Sequence, residues 1–205
     1  MFDKLVSRKI REFKSHLLKY NEHTNIYSKK SYHLLDMHIQ DSLNLAELTS
    51  GTLCHVDMGS GSGLPGVIMA IASSASIICI ESKEKKRGFL EHVKIALDLK
   101  NLTVFKGDVQ SFARCYSGRR ITSFSAKAFV KPPKLLSYLS MFGRGQYLSS
   151  AYCWVPISER QAGILSSFDE VVSIQGQDGQ ILFYFKIGMG SYRSYKADLK
   201  KQYNL

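Results

Sequence analysis

Residues 56–66 read VDMGSGSGLPG. Gly59, Gly61 and Gly63 follow an apolar run and precede Pro65, a residue suited to the first turn of a helix. A backbone without side chains can bend sharply and approach a ligand, and a helix N-terminus beyond it offers free N–H groups. Gly61, Gly63 and Gly66 also spell the GxGxxG string of dinucleotide binders. Glu81 closes the next apolar run, 20 residues past Gly61. A carboxylate there can accept two hydrogen bonds from a ribose diol. The pattern predicts a nucleoside pocket made of strand, bare turn, helix and acid.

Two ligands satisfy that pattern, a nicotinamide dinucleotide and S-adenosylmethionine. Asp57 lies two residues before the first glycine, where a carboxylate can meet the cationic amine of a methionine tail. The loop holds no arginine to neutralise a pyrophosphate. The chain after the turn is also too short for the rest of a dinucleotide fold plus a separate substrate domain. These features favour S-adenosylmethionine.

Such a pocket needs a sheet to hold it, and the apolar periodicities supply one. Leu53–Met58, Ser76–Glu81, Leu102–Lys106 and residues 124–130 read as strands, with Gln146–Tyr152 as a fifth. Val67–Ser73, Lys83–Leu99 and Leu135–Phe142 read as the helices between them. Strands alternating with helices imply a mostly parallel sheet covered on both faces. Asp169–Ser173 and Gln180–Ile187 flank Gly176-Gln177-Asp178-Gly179 and predict a C-terminal antiparallel hairpin. Before the first strand, Phe2, Leu5, Val6, Ile10, Phe13, Leu17 and Tyr20 form one helical stripe. Residues 33–49 form a second helix. The expected organisation is one α/β domain, with a helical N-terminal extension over 1–50 and a core over 51–205.

Composition narrows the partners. The chain has 28 Lys+Arg against 17 Asp+Glu, a formal charge of +11. Residues 106–144 hold eight cations (Lys106, Arg114, Arg119, Arg120, Lys127, Lys131, Lys134 and Arg144) against Asp108 alone. Residues 186–205 add Lys186, Arg193, Lys196, Lys200 and Lys201 against Asp198, interleaved with Tyr192, Tyr195 and Tyr203. Such skew favours a polyanion, and interleaved aromatics suit base stacking. Cys54, Cys79, Cys115 and Cys153 show no metal-ligand spacing and read as reduced thiols, so no metal is expected. No apolar run is long enough for a membrane span, and charges within the first 20 residues leave no secretory core. The expected setting is cytoplasmic, without a membrane partner, and the expected state is a monomer.

Several ordered segments resemble one family. Lys19-Tyr20-Asn21 with Asn25-Ile26, and His38-Ile39-Gln40-Asp41-Ser42, are similar to two of its N-terminal elements. Asp57–Gly66 carries its turn, including Leu64-Pro65-Gly66. Glu81-Ser82, Lys85-Lys86 and Phe89-Leu90 resemble its next strand and helix, and Lys127-Ala128-Phe129 stands at its Arg-Ala-aromatic element. Across residues 15–130 the chain resembles the bacterial small-subunit ribosomal RNA guanine-N7 methyltransferases, the glucose-inhibited division protein B family. It departs from them at Asp108 (Arg in the family), Gln110 (Glu), Lys127 (Arg) and Ser150-Ala151 (Lys-Gly).

The resemblance implies a Rossmann-like S-adenosylmethionine-dependent fold and transfer of a methyl group to N7 of a guanine in 16S ribosomal RNA, with the RNA or the 30S subunit as partner. Guanine N7 carries a lone pair and no proton, so no catalytic base is named. An amino-group methyltransferase would need acceptors where this chain has Lys131-Pro132-Pro133-Lys134, and a carbon-5 enzyme needs a Pro-Cys that is absent. Gly59, Gly61 and Leu64 would cradle the methionine part, Asp57 would meet its ammonium, and Glu81 would hold the ribose. By family analogy Val109 and Gln110 would flank the adenine, and Lys127 would lie at the cofactor edge or on RNA phosphate. Lys85, Lys86, Arg119 and Arg120 would touch phosphates, while Tyr27 and Phe129 could stack on the exposed base. The alternatives are a methyltransferase for another RNA or a small molecule, a decayed RNA- or ribosome-binding protein, and a nicotinamide oxidoreductase.

Overall fold

The computed structural model describes residues 3–127, 129–130 and 132–142, and the backbones of three further strands at 152–157, 170–175 and 181–188. Strand β1 (Cys54–Met58) is flanked by β2 (Ser76–Glu81) and by β4 (Ser123–Ser125). Outside these run β3 (Leu102–Lys106) and β5 (Tyr152–Ile157), and all five strands are parallel. An antiparallel pair, β6 (Glu170–Gln175) and β7 (Ile181–Gly188), completes the sheet in the order β3-β2-β1-β4-β5-β7-β6. The expected architecture of parallel core and C-terminal hairpin is present. The hairpin's turn, 176–179, lies outside the described residues, as does the basic tail beyond 188.

Helices α3 (Gly66–Ala72) and α4 (Glu84–Ala96) cover one face of the sheet. Helices α5 (Val109–Cys115) and α6 (Pro132–Phe142) cover the other. Strand alternation separates two cores. Cys54, Val56, Met58, Ile78 and Ile80 point toward α5 and α6, whereas Ile77 and Cys79 join α3 and α4. The chain reverses direction across the sheet between β1 and β4, and in open α/β sheets ligands enter at that switch point.

The N-terminal segment belongs to the α3–α4 core. Helix α1 (Lys4–Asn21) starts on Asp3, whose side chain accepts from the Leu5 and Val6 amides. Its stripe buries Phe13 and Leu17 completely, with the Phe13 ring 6.0 Å from Phe89 of α4. Leu5 stays 48% exposed, so the stripe is narrower than its sequence pattern. A 3-10 turn over Lys29–Leu34 leads into α2 (Leu35–Leu48), which packs on α3. Asn21 is fully buried and organises the turn between them. Its oxygen accepts from the Ile26 and Tyr27 amides, and its nitrogen donates to the Tyr27 carbonyl and the Tyr32 hydroxyl.

Two strands are displaced from their predicted bounds, and one helix is additional. Strand β4 stops at Ser125 because β1, its partner, turns away after Met58. Ala126, Lys127, Phe129 and Val130 therefore lie outside the sheet. Strand β5 occupies Tyr152–Ile157 rather than 146–152. It includes Pro156, which lies beyond the reach of β4, where pairing is with β7 alone and a missing N–H is tolerable. Helix α5 is absent from the sequence reading because it is only seven residues long; Asp108 caps it by accepting from the Ser111 amide at 2.7 Å.

Candidate cofactor and RNA site

The glycine turn closes over the end of β2. The amides of Gly59 and Ser60 both donate to the Ile80 carbonyl, at 3.0 and 3.1 Å. Gly59, Gly61 and Gly63 have φ of 73°, 57° and 87°, the left-handed region that a side chain disfavours. A Cβ on Gly59 would also lie 2.1 Å from the Phe129 ring. Glu81 accepts from the Gly61 amide at 2.9 Å and from the Lys83 amide at 2.8 Å. Its carboxylate thus pins the turn to the start of α4 and keeps further lone pairs for a ligand.

Two adjoining lobes open above this turn and share Gly59 and Lys86. The first, of about 350 Å³, is lined by Glu81, Val109, Asp108, Phe129, Tyr138 and three lysines, Lys83, Lys86 and Lys134. The second, of about 230 Å³, is lined by Gly59–Ser62 and Leu64 on one side and by Tyr27, His38 and Lys127 on the other. Gly59, Gly61, Leu64, Glu81, Val109 and Lys127 therefore all border one crevice. Gln110 is exposed and borders neither lobe.

Asp57 departs from its expected place. It is 1% exposed, accepts from Ser125 Oγ at 2.6 Å and from the Gly66 amide at 3.2 Å, and borders neither lobe. Burial pushes its carboxyl pKa up, against the opposing bonds from Ser125, Ser60 and Gly66. Instead of facing a ligand, it ties β1 to β4 and to the first residue of α3. Spacing alone cannot tell which way that side chain turns.

Around the second lobe, α2 supplies His38 and Asp41, one helical turn apart. Lys127 Nζ lies 3.6 Å from Asp41 Oδ2, is itself buried, and has no hydrogen-bond partner among the described residues. Burial lowers its pKa, and the charges of Asp41 and Asp57 oppose that shift. Burial, then the Lys127 charge, holds the His38 imidazole down at about 4.

Of the expected phosphate contacts, Lys86 borders both lobes and Lys85 is exposed beside it on the first turn of α4. Arg119 and Arg120 precede β4 and lie at the opposite end of the sheet, next to the start of β1. Lys83, Lys134 and Tyr138 were not predicted, since only the fold brings them to the crevice. The Tyr138 ring stacks on Phe129 at 5.8 Å, with Lys134 Nζ 5.8 Å above it.

Comparison with known proteins decides the family. A family model described as rRNA small subunit methyltransferase G matches residues 6–143. The chain belongs to that family. The ribosomal RNA small subunit methyltransferase G of Chromobacterium violaceum is 29% identical over 168 residues, 80% of each chain. Its namesake in Syntrophomonas wolfei is 31% identical over 134 residues, covering 63% of this chain and 62% of that one. The chain spans about half the length of the relative from Magnetococcus marinus, at 36% identity over 106 residues, 50% of this chain. Among solved structures, a methyltransferase from Geobacter sulfurreducens has a TM-score of 0.56 at 14% identity, covering 89% of this chain and 88% of that one. The precorrin-6y C5,15-methyltransferase of Geobacter metallireducens has a TM-score of 0.51 at 12% identity, covering 79% and 89%. The Rossmann-like methyltransferase fold of this family member is thus shared with proteins of little sequence likeness.

Proposed function

We propose that the chain transfers a methyl group from S-adenosylmethionine to N7 of a guanine in 16S ribosomal RNA, acting as a cytoplasmic monomer on the RNA or the 30S subunit. The observation that carries the reading is the Gly59–Gly63 turn, pinned by Glu81 at the switch point of the sheet. The residues present fit the cofactor. The bare Gly59 backbone admits close approach, the Glu81 carboxylate accepts from a diol, and Lys127, beside Asp41, borders the second lobe.

When bound, S-adenosylmethionine supplies a methyl group on a sulfonium that departs as a thioether. The chain's own part is placement. The first lobe takes the nucleoside, with Glu81 on the ribose and Val109 along the adenine. The turn from Gly59 to Leu64 carries the methionine part toward the second lobe, with Lys127 at its edge. Asp57 acts at one remove, by fixing the turn. Guanine N7 needs no deprotonation, so rate comes from holding it in line with the methyl group. Lys85 and Lys86, with Lys83 and Lys134, attract phosphates around the mouth. Among the described residues no cluster of His, Cys, Asp or Glu could hold a metal ion, and no helix is long and apolar enough to cross a membrane.

The test is direct. The protein and labelled S-adenosylmethionine are incubated with 30S particles from a strain lacking its family enzyme, and the label is mapped. Label on a single guanine N7 is expected; its absence rejects the reading.

A further inference from the structure

Lys86 stands apart from the other cations of the crevice. It sits on the first turn of α4 and is half-buried, whereas Lys85 beside it is exposed. Its ammonium reaches over the glycine turn: a Cβ on Gly61 would lie 3.7 Å from Lys86 Nζ. Among the described residues it is the one cation common to both lobes, since Lys83 and Lys134 border only the first and Lys127 only the second. The Lys127 ammonium is taken by Asp41. Ion pairs among the described residues join Arg8 to Glu12, Lys14 to Asp36, Lys100 to Asp98 and Lys127 to Asp41, and none includes Lys86. Glu81 and Asp108 border the first lobe, but no described acid borders the second. Where the turn carries the methionine part, the crevice thus sets a cation without a counter-charge.

We propose that Lys86 binds the carboxylate of the methionine part of S-adenosylmethionine and so selects a ligand with an intact amino-acid end. The inference rests on the cofactor reading above. It gives Lys86 a ligand inside the crevice when the cofactor is bound, and leaves Lys83, Lys85 and Lys134 to the phosphates. S-adenosylmethionine carries two cationic groups, the sulfonium and the ammonium, and one anion, the carboxylate. An ammonium held over the glycine turn repels the first two and attracts the third. A cofactor laid along Gly59–Leu64 is therefore driven to turn its carboxylate toward Lys86, which fixes the way the methionine part runs along the turn. Asp57 favours the same placement by its absence from the lobe. Turned into the protein toward Ser125, it leaves the ligand's ammonium without an acid there, so the charged contact falls to the carboxylate. The thioether product keeps that carboxylate. The contact therefore serves binding and orientation, and holds product as well as it holds cofactor.

Titration calorimetry without RNA tests this, so a lost phosphate contact cannot imitate the result. The ligands are S-adenosylmethionine, S-adenosylhomocysteine and decarboxylated S-adenosylmethionine, which keeps the sulfonium and the ammonium but has hydrogen in place of the carboxylate. The unaltered protein should bind S-adenosylmethionine about 10- to 50-fold more tightly than the decarboxylated ligand, as a charge-assisted hydrogen bond does. Lys86→Met keeps the stem and removes the charge. It should lose that same factor for S-adenosylmethionine and for S-adenosylhomocysteine, yet bind the decarboxylated ligand at least as well as the unaltered protein does. Lys86→Arg should keep most of the preference. A Lys86→Met variant that still prefers the carboxylate overturns the proposal, because the carboxylate is then held elsewhere. So does one that weakens all three ligands equally, for the residue then acts through the fold. Tighter binding of S-adenosylmethionine with unchanged S-adenosylhomocysteine also overturns it, since the charge would then only oppose the sulfonium. No binding of S-adenosylmethionine by the unaltered protein rejects the underlying reading, and this inference with it.

Discussion

Glu81 has two jobs at once, and a single substitution separates them from the rest of the site. Its two oxygens hold the Gly61 and Lys83 amides, and its remaining lone pairs face the larger lobe. Glu81→Ala should weaken binding of S-adenosylmethionine by about 1–3 kcal/mol, the usual cost of lost hydrogen bonds to a charged group. Titration calorimetry measures it; an unchanged Kd would put the ribose elsewhere. Gly66 reports on packing instead. A Cβ there would lie 2.5 Å from Cys79 Sγ and 2.8 Å from Asp57 Oδ2, both buried. Gly66→Ala should destabilise the fold by about 1–3 kcal/mol, as overpacking of a filled core does, read as a lower urea midpoint. At this scale the sequence is readable where chemistry forces a residue type: the glycines and Glu81 stand where their spacing puts them. It is silent on direction. Asp57 has the right type and place for an ammonium partner, yet points into the protein.

Between elements, the part hidden from sequence is a buried chain of polar groups joining β1 to β4. Ser125 spends its proton on Asp57, so His55 Nε2 donates to Ser125 Oγ at 2.9 Å, and Ser123 donates to His55 Nδ1. His55 is fully buried, and burial lowers its pKa from 6.5 to about 3. The folded state resists protonating it while the unfolded chain does not. Stability from this group is complete above pH 6.5 and falls as acid is added, by about 1.4 kcal/mol per pH unit, until the folded-state pKa near 3 is reached. Asp57, whose pKa is raised, works in the opposite direction. Comparing His55→Gln with the parent isolates the histidine. Between pH 6.5 and 4 the variant's urea midpoint should fall less steeply, and parallel curves would assign the acid sensitivity to other groups. No periodicity announces such a network, because His55, Asp57, Ser123 and Ser125 stand on half-polar strands that are nonetheless buried. The sequence run 124–130 hides the end of β4 for a related reason. Its apolar residues suit a strand, but pairing is lost where β1 turns, and that frees Lys127 and Phe129 for the crevice.

Across the whole molecule, charge and architecture separate functions that composition merges. The excess of cations over acids is visible in the sequence, but its division between the two ends of the sheet is not. Lys83, Lys86 and Lys134 border the crevice, whereas Arg119 and Arg120 sit at the far end of the strands. An RNA that offers one base to the crevice must lay its neighbouring phosphates near the first group. Each phosphate contact released by a cation contributes about 0.7–0.9 to the slope of log K against log salt, depending on strandedness. The double variant Lys83→Ala/Lys134→Ala should therefore bind 16S RNA more weakly and flatten that slope by about 1.5. Arg119→Ala/Arg120→Ala should leave the slope unchanged. Filter binding from low to moderate salt reads both. A flattened slope in the arginine pair would mean that the RNA wraps around the sheet edge, and the crevice would then be one contact among several on a longer track.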